Sequence, residues 1–439
     1  NLYDFREVLK ATSGITFLAG ETGEEDVRLR GFSLTQSGDI YVDGLRDVPM
    51  TERDTFNLDR AEVLKGSASM LFGKGSTGGV VNQVNKQPFL MDQHEANLTL
   101  GSGQVRRLTG DFNLQTGESA ALRINALAHQ ADNWGAKVDK KGIAPTYRWG
   151  IGERDEYSVG LSHLETDSRP LYSHPQLTVN GRIVALLDPQ NYYGLASDSL
   201  RTDTTYGTLS HIRRLGQDSQ IKTQFRQGHY ERDLLGSATR FASGTTLENF
   251  ASAVINRSPK GRRAESDITQ LQSDYTGGFE AWGLKHSMIA GVDLYDEKAL
   301  RNNSTVAGLV NPPTNAATPN DGAVASGTRA AIPMATFKAQ ALGLYAQDTL
   351  SLTQAFKIVA GLRLDHFKAN YLNLSQQPFN MSESLWSPRL GALWQPTPRT
   401  SLPAEEQAAP SFASSSLHAS NTPAPSLQCP IGWPSRGPT

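Results

Sequence analysis

The strongest constraint on this fold is a run of about eleven segments, each about 10–15 residues long, in which apolar and polar residues alternate. In residues 120–130, for example, Leu122 and Ile124 alternate with Arg123 and Asn125. Successive side chains of a β-strand point to opposite faces, so this pattern predicts strands with one apolar and one polar face. The segments are residues 94–102, 104–115, 119–132, 152–166, 203–215, 218–232, 265–278, 281–297, 337–352, 355–372 and 384–395.

The connections between these segments differ in length. Some are tight, whereas others are long and polar. The tight ones include residues 215–218 and 277–283, and the long ones are residues 133–151, 167–202, 233–264 and 298–335. Short turns on one side and long loops on the other are typical of a bacterial outer-membrane β-barrel. A soluble β-sandwich has shorter strands and a turn about every 8–12 residues, so the pattern favours the barrel.

Composition and charge exclude several classes of protein. The formal net charge is -2, so no basic excess exists to displace counterions from phosphates, and nucleic acid is not expected as a partner. The sequence has no run of about 18 apolar residues, which excludes a membrane-spanning helix but not the strands of a barrel. Cys429 is the only cysteine, and the histidines lack metal-ligand spacing, so a disulfide and a metal site are not expected.

The two ends of the chain differ from the alternating region. Residues 1–88 read as mixed α/β. The expected elements are a helix at residues 2–11 and strands at residues 27–32, 40–43, 61–65 and 80–85. Residues 396–439 hold nine of the 22 prolines and several serines, and the alternation ends there. We therefore expect three regions: residues 1–88, residues 89–395, and a Pro/Ser-rich tail at 396–439 that is disordered or produced by a frame shift.

Residues 27–88 carry an ordered series of short motifs. They are VRLRGF at 27–32, DIYVDGLRD at 39–47, RDTFNL at 53–58, AEVLKG at 61–66, SMLFG at 69–73 and GGVVN at 78–82. In order and spacing they resemble the plug domain of TonB-dependent outer-membrane siderophore receptors, in particular the catecholate-type branch. LYAQDT at 344–349 and GLRLD at 361–365 resemble barrel strands of the same family.

The resemblance implies a fold and a function. The fold is an N-terminal α/β plug at residues 1–88 followed by part of an antiparallel transmembrane β-barrel in the outer-membrane lipid. Receptors of this type close on about 22 strands, so we expect about 11 of 22 here, with truncation at both ends. The implied function is uptake of a ferric siderophore, with no bound cofactor and no enzymatic step. The TonB–ExbB–ExbD complex is the implied energy source, although the coupling segment is expected to be absent from this chain.

The resemblance also implies a ligand site in the apical loops of the plug. Ser33, Gln36, Arg53 and Asp54 are expected to face the siderophore, and Arg53 to pair with an anionic ferric catecholate. The alternative is that Arg53 pairs with Asp54 or with a carboxylate of the barrel. Because no metal site is expected in the protein, the iron should arrive already chelated.

Two further sets of residues follow from the resemblance. Arg30 and Lys65 match basic plug positions that, in the family, meet glutamates of the barrel wall, and such pairs would latch the plug. Tyr172, Tyr192 and Tyr193 lie in the loop at residues 167–202 and are expected to stack on catechol rings. Contact with a partner surface or with lipid headgroups is the alternative for these aromatic residues.

Two other functions remain open. The chain is either a transporting receptor or an incomplete remnant that does not transport, because an open half-barrel would leave unpaired strand edges in lipid. It could also serve another TonB-dependent ligand such as haem or cobalamin.

Overall fold

The computed structural model describes residues 3–17, 27–34, 38–49, 51–65, 78–302, 306–397 and 400–407. Most of these residues lie in β-strands, which form two small sheets in an N-terminal plug and one long sheet that we call the wall. Among the described residues there is no helix with the length and hydropathy needed to cross a membrane.

The plug consists of one short helix and two sheets. Helix α1, Phe5–Leu9, begins after Asp4, whose carboxylate accepts a hydrogen bond of 2.9 Å from the Glu7 backbone N–H. It is shorter than the predicted span, because residues 10–14 turn the chain toward β1 and include Gly14 with φ of +83°. The strands are β1 (Ile15–Phe17), β2 (Val27–Leu29), β3 (Phe32–Ser33), β4 (Ile40–Val42), β5 (Leu45–Arg46), β6 (Leu58–Lys65) and β7 (Gly79–Asn85).

A single apolar cluster joins the helix to both plug sheets. Strands β1, β2 and β3 form an antiparallel sheet, and the second sheet has the order β5-β4-β7-β6, with β4 and β7 parallel. Phe5 and Leu9 lie four residues apart on one face of α1 and are buried. They pack with Val27, Leu29, Leu34, Ile40 and Val81.

The wall is an antiparallel sheet whose long strands pair in chain order. The strands are β8 (Gln93–Gly101), β9 (Val105–Gly117), β10 (Ala120–Asn133), β11 (Ala136–Trp149), β12 (Asp155–Ser168), β13 (Leu177–Val179), β14 (Arg182–Val184), β15 (Ser199–Arg214), β16 (Ser219–Phe241), β17 (Val254–Ala281), β18 (Leu284–Arg301), β19 (Leu309–Val310), β20 (Thr314–Asn315), β21 (Ser326–Gly327), β22 (Ala335–Ser351), β23 (Phe356–Leu372), β24 (Pro378–Thr397) and β25 (Thr400–Gln407). The short strands β13, β14, β19, β20 and β21 lie in loops, and a 3-10 turn spans Phe250–Ser252. Within the described residues the edge strands β8 and β25 do not pair with each other.

Side chains alternate along the wall in the sense expected for a barrel in lipid. On β16, Phe225 is exposed and the next residue, Arg226, is fully buried; on β22, Leu344 is exposed and Tyr345 is buried. Exposed apolar side chains therefore cover the outward face, and polar side chains line the lumen. The predicted antiparallel barrel strands are confirmed.

The connections define two ends of the wall. Short turns at residues 118–119, 150–154, 215–218, 282–283 and 352–355 mark the short-turn end. The longest loops, at residues 169–198 and 302–334, lie at the opposite, long-loop end. In a barrel of this kind the short turns face the periplasm and the long loops face outside.

The predictions of long loops at residues 133–151 and 233–264 were wrong. Residues 136–149 form strand β11, which carries charged Lys137, Asp139 and Lys141 at outward positions and so lacks the apolar alternation of its neighbours. Much of residues 233–264 extends β16 and β17, where polar residues again hide the pattern. The wall also continues past residue 395 through β24 and β25, and residues 408–439 lie outside the described part of the chain.

Candidate functional site at the plug and wall contact

Plug residues 39–57 meet the inward face of the wall through enclosed charged side chains, which we call the plug–wall network. It consists of plug residues Asp43, Asp47, Glu52, Arg53 and Asp54 and wall residues Arg107, Lys140, Arg226 and Tyr230. Asp43 and Gly44 form the turn between β4 and β5 with φ values of +55° and +84°. Aspartate tolerates this left-handed conformation and glycine adopts it freely, so the sequence DG fits the turn.

Arg226 is the most enclosed cation of the network. Its Nη1 donates to the Val42 carbonyl at 3.0 Å, its Nη2 to Asp43 Oδ2 at 3.3 Å, and its Nε to Thr208 Oγ1 at 3.0 Å. The guanidinium also lies 4.5 Å from the centroid of the Tyr206 ring. Because a buried cation is costly unless it is paired, these contacts fix the β4–β5 turn against the wall.

Asp54 and Arg107 form a two-pronged ion pair. Arg107 Nη2 lies 2.5 Å from Asp54 Oδ1, and Nη1 lies 3.0 Å from Asp54 Oδ2. Nη1 is also 3.0 Å from His129 Nδ1, and the Phe56 backbone N–H donates to the same carboxylate at 3.0 Å. Both members are almost fully buried, and this fork geometry is the strongest form of an arginine–carboxylate contact.

Arg53 is paired within the plug. Its Nε and Nη2 donate to Asp47 Oδ2 at 2.9 and 2.6 Å, and Nη2 also donates to the Val48 carbonyl at 2.9 Å. The other oxygen of Asp47 accepts a bond of 3.0 Å from the Tyr230 hydroxyl of the wall. Asp47 thus links the plug loop that carries Val48, Arg53 and Asp54, which we call the apical loop, to the wall.

Two more contacts extend the interface beside these pairs. Lys140 Nζ lies 2.9 Å from Glu52 Oε2, and the hydroxyls of Thr51 and Thr204 lie 2.8 Å apart. Further round the inner face of the wall, Gln270 of β17 donates to the backbone carbonyl of plug residue Arg46 at 2.7 Å.

Tyr41 is enclosed beside Arg46, whose Nη2 donates to the phenol oxygen at 3.2 Å. Burial raises the pKa of Tyr41 to about 12, against the lowering effect of the Arg46 guanidinium. The wall near Tyr41 has its own network, in which Arg363 donates to Asp293 and Asp365, each at 2.7 Å. Arg363 thus pairs with two carboxylates of the wall beside the plug.

The structure locates three of the four predicted ligand residues. Arg53 and Asp54 are buried in the plug–wall network, 6% and 3% exposed, and Ser33 is buried in β3. Gln36 lies outside the described residues. Arg53 therefore pairs with a carboxylate of the plug, Asp47, whereas the alternative to a ligand contact had named Asp54 or a carboxylate of the barrel. Its direct contact with a siderophore stays a prediction.

The predicted latch residues are not brought to a barrel carboxylate in the described part of the chain. Lys65 is exposed and donates to Ser13 Oγ at 2.8 Å, and Arg30 is exposed at a positive φ of +54°. Asp43, Glu52 and Asp54 make ion pairs of the opposite polarity, in which a plug carboxylate meets a wall cation. Lys86, at the end of the plug, keeps the expected polarity, because its Nζ lies 2.9 Å from Asp111 Oδ2 of β9. In sequence, the only signal for these partners is arginine at inward positions of alternating strands, such as Arg107 and Arg226.

The predicted loop aromatics are largely enclosed. Tyr193 is fully buried and donates to the Ala316 carbonyl at 2.7 Å, and Tyr192 donates to the Pro170 carbonyl at 3.0 Å. Burial raises the pKa of the Tyr192 hydroxyl above its ordinary value. Tyr172 is half-buried. Tyr192 and Tyr193 thus pack within the loops in this conformation, and stacking on a ligand stays a prediction.

Three arginines line the lumen nearer the long loops. The plug residue Val48 packs on Tyr230 and Ile268 of the wall. Arg232 follows Tyr230 by two residues on β16 and lies opposite Ala264 of β17. Arg301 of β18 lies opposite Ala264 from the other side. Arg262 precedes Ala264 by two residues on β17, so it lies on the same face of the sheet, nearer the long loops. We call Arg232, Arg262 and Arg301 the arginine patch; sequence analysis did not single it out.

The lumen beside the plug is not fully packed. A polar cavity of about 400 Å³ separates the β6–β7 side of the plug from wall strands β10 to β16, and Asn82, Asn125 and Ser158 are among its lining residues. The described residues contain no group of three or more His, Cys, Asp or Glu side chains arranged to hold a metal ion.

A wall of antiparallel strands, apolar outside and polar inside, that holds an α/β plug by buried ion pairs defines a plugged barrel receptor. Two family models match the chain: "TonB dependent receptor-like, beta-barrel" over residues 148–417 and "TonB-dependent Receptor Plug Domain" over residues 1–80. The chain belongs to the TonB-dependent receptor family, as the plug motifs predicted. Proteins of this family are outer-membrane transporters and not enzymes.

Individual relatives agree with this assignment. The catecholate siderophore receptor Fiu of Escherichia coli (strain K12) is 26% identical over 393 residues, which cover 83% of this chain and 50% of the relative. The probable TonB-dependent receptor BfrD of Bordetella pertussis is 27% identical over 429 residues, 90% of this chain and 57% of the relative. The chain thus spans about half the length of these curated relatives.

Solved structures share the fold. The open form of the ferric-catecholate import receptor Fiu from E. coli K12 superposes with a TM-score of 0.81 at 22% identity, covering 93% of this chain and 67% of that chain. The siderophore receptor PiuA from Acinetobacter baumannii gives a TM-score of 0.76 at 21% identity, covering 90% and 60%.

Proposed function

We propose that the chain binds a ferric siderophore of the catecholate type at the long-loop end of the lumen, for TonB-dependent uptake across the outer membrane. A ferric catecholate carries net negative charge, because three doubly deprotonated catechols surround one Fe³⁺. The arginine patch is the observation that carries the proposal, since it lines the lumen directly beyond the apical loop of the plug. Guanidinium groups bind anionic oxygens strongly. The catecholate receptor Fiu among the relatives supports the same ligand class.

In this proposal the plug residues have a supporting role. Arg53 and Asp54 are enclosed and paired, so they hold the apical loop in shape as the floor of the site. Tyr192 and Tyr193 shape the loop above it, while Ser33, Gln36 and Tyr172 are the candidates for direct contact that remain from the resemblance. Arg30 and Lys65 do not belong to this ligand site.

Quenching of tryptophan fluorescence by a ferric catecholate measures the binding. We expect Arg301→Gln to weaken binding about tenfold, the effect of losing one charge-assisted hydrogen bond. Arg201→Gln is the matched control, because Arg201 lies on the outward face of β15 and pairs with Asp167. Equal affinity of Arg301→Gln and the parent chain would remove the arginine patch from the site.

Two outcomes would favour the other functions. Haem that displaces the ferric catecholate at equal concentration would indicate a different ligand class, and cobalamin is tested in the same way. Uptake of radioactive iron by cells with and without TonB separates a transporting receptor from a non-transporting remnant. Binding without TonB-dependent uptake would identify the remnant.

A further inference from the structure

On the outward face of the wall, near the short-turn end, two histidines occupy similar settings. His286 of β18 stacks on Phe279 of β17, with ring centroids 4.8 Å apart and planes at 2°. His211 of β15 stacks on Tyr157 of β12, with centroids 4.5 Å apart and planes at 8°. Each imidazole also contacts an aspartate on a neighbouring strand. The short-turn end of the wall therefore carries two histidine–aspartate pairs.

The register shows that His286 and its aspartate face the lipid. His286 lies opposite Phe279, which is exposed on the outward face. On β22 the even-numbered residues face outward, as exposed Leu344 shows, and the odd-numbered residues face the lumen, as buried Tyr345 shows. Asp348 is even-numbered and therefore faces outward. Both residues lie within three positions of a strand end at short turns, the level of the membrane–water boundary in a barrel.

The His286 pair has two hydrogen-bond acceptors that are not used. His286 Nδ1 lies 2.6 Å from Asp348 Oδ2. A carboxylate only accepts, so Nδ1 carries the proton and Nε2 of the neutral ring is an acceptor. Within the described residues neither His286 Nε2 nor Asp348 Oδ1 has a hydrogen-bond partner, although the His286 side chain is only 7% exposed. Buried polar atoms at a lipid-facing surface are costly when they lack a partner.

At the His211 pair the protein supplies its own cation. His211 Nε2 lies 2.9 Å from Asp155 Oδ1, and Arg213 Nη1 lies 3.8 Å from the same oxygen. At the His286 pair, the neighbouring Lys285 falls on the opposite face by alternation and lies 3.9 Å from Glu280. Trp282 stands edge-on to His286 at 5.9 Å and is 91% exposed, so its ring faces are open to a cation from the membrane.

We propose that His286, Asp348 and Trp282 form a site for the primary ammonium group of a phosphatidylethanolamine headgroup in the periplasmic leaflet. A primary ammonium has three N–H donors, which suit the two acceptors, and it gains a cation–π contact with the indole. Both acceptor atoms are buried, so binding requires a neighbouring side chain to shift, and Trp282, 91% exposed in a two-residue turn, is the neighbour with the most open ring. Quaternary ammonium and glycerol headgroups lack an ammonium donor. A headgroup bound there would hold the wall at a fixed depth in the membrane. This proposal does not depend on the siderophore proposed above.

Native mass spectrometry of the full chain in detergent tests the proposal. We expect phosphatidylethanolamine to bind about tenfold more tightly than phosphatidylcholine or phosphatidylglycerol with the same acyl chains. His286→Phe keeps the ring stack but removes both the acceptor and the pair, so it should abolish this preference. His211→Phe is the matched control and should retain it.

Two results would overturn the site. One is equal binding of the three lipids to the parent chain, a measurement that requires no variant to fold. The other is an unchanged preference in a folded His286→Phe chain. If His211→Phe also loses the preference, the effect belongs to the aromatic residues of the short-turn end in general, and the specific site is rejected.

Discussion

Arginine–carboxylate pairs occur on two sides of the plug, and their surroundings differ. Asp54 and Arg107 have side chains 1% and 5% exposed, whereas the Asp59 and Arg60 side chains on β6 are 51% and 58% exposed. Water can replace a lost partner at the exposed pair but not at the buried one. The buried pair therefore anchors the plug to the wall, whereas the Asp59–Arg60 pair joins neighbouring residues of β6 and does not reach the wall.

The largest expected effect is at the buried pair. Asp54→Ala should lower the free energy of unfolding by about 3–5 kcal/mol, because it leaves the Arg107 guanidinium enclosed without its carboxylate. Asp59→Ala, the matched control on β6, should leave stability nearly unchanged. Guanidinium unfolding of the chain in detergent micelles measures both. Equal losses in the two variants would contradict the difference between the two sides.

The fold was more predictable from the sequence than the anchoring contacts were. Alternation reports which face of a strand meets lipid, so most wall strands were found, and β11 was missed where Lys137 and Lys141 interrupt the apolar face. Pairing between plug and wall has no such local signal. Asp43 and Arg226 are 183 residues apart, and their contact depends on the register of the whole wall.

The polarity of the latch shows the same limit. The resemblance implied basic plug residues that meet acidic wall residues, and Arg30 and Lys65 matched those positions. The described structure instead pairs the plug carboxylates Asp43 and Asp54 with wall arginines. The cation of the plug that meets a wall carboxylate is Lys86, beside Asp111, and not a residue that the resemblance had marked. Motif matching identifies the domain, but the partners depend on which wall strands surround it.

The next effect concerns the enclosed phenol of Tyr41. Its pKa is 10 in the unfolded chain and about 12 in the folded chain, so the folded state holds the proton more tightly. The resulting stabilisation is complete below pH 10 and is lost as the pH rises through 12, in total roughly 2–3 kcal/mol. Tyr41→Phe should flatten this part of the stability profile. Tyr371→Phe, which removes a phenol that is 41% exposed near the end of β23, is the control and should keep it.

A smaller effect is expected on the wall side. A Cβ at Gly343 would collide with Arg363 Nη2 and Asp293 Oδ2, so Gly343→Ala must displace this ion pair. Overpacking of this kind costs about 1–3 kcal/mol. Gly216→Ala is the control, because no atom lies within 4 Å of the position that its Cβ would take. Thermal unfolding in detergent compares them, and an unaffected Gly343→Ala would indicate that the lumen is loosely packed there.

The smallest effect is expected at Lys65, where the resemblance placed a latch. Its ammonium is exposed and donates to Ser13 Oγ within the plug, so Lys65→Ala should change the free energy of unfolding by no more than about 0.5 kcal/mol. Proteolysis of the plug under mild denaturation is a second measurement, since it reports release from the wall. Asp54→Ala should speed this cleavage and Lys65→Ala should not. If Lys65→Ala releases the plug as readily as Asp54→Ala, β6 is an anchor equal to residues 39–57, because loss of an exposed side chain would then act through a wall contact.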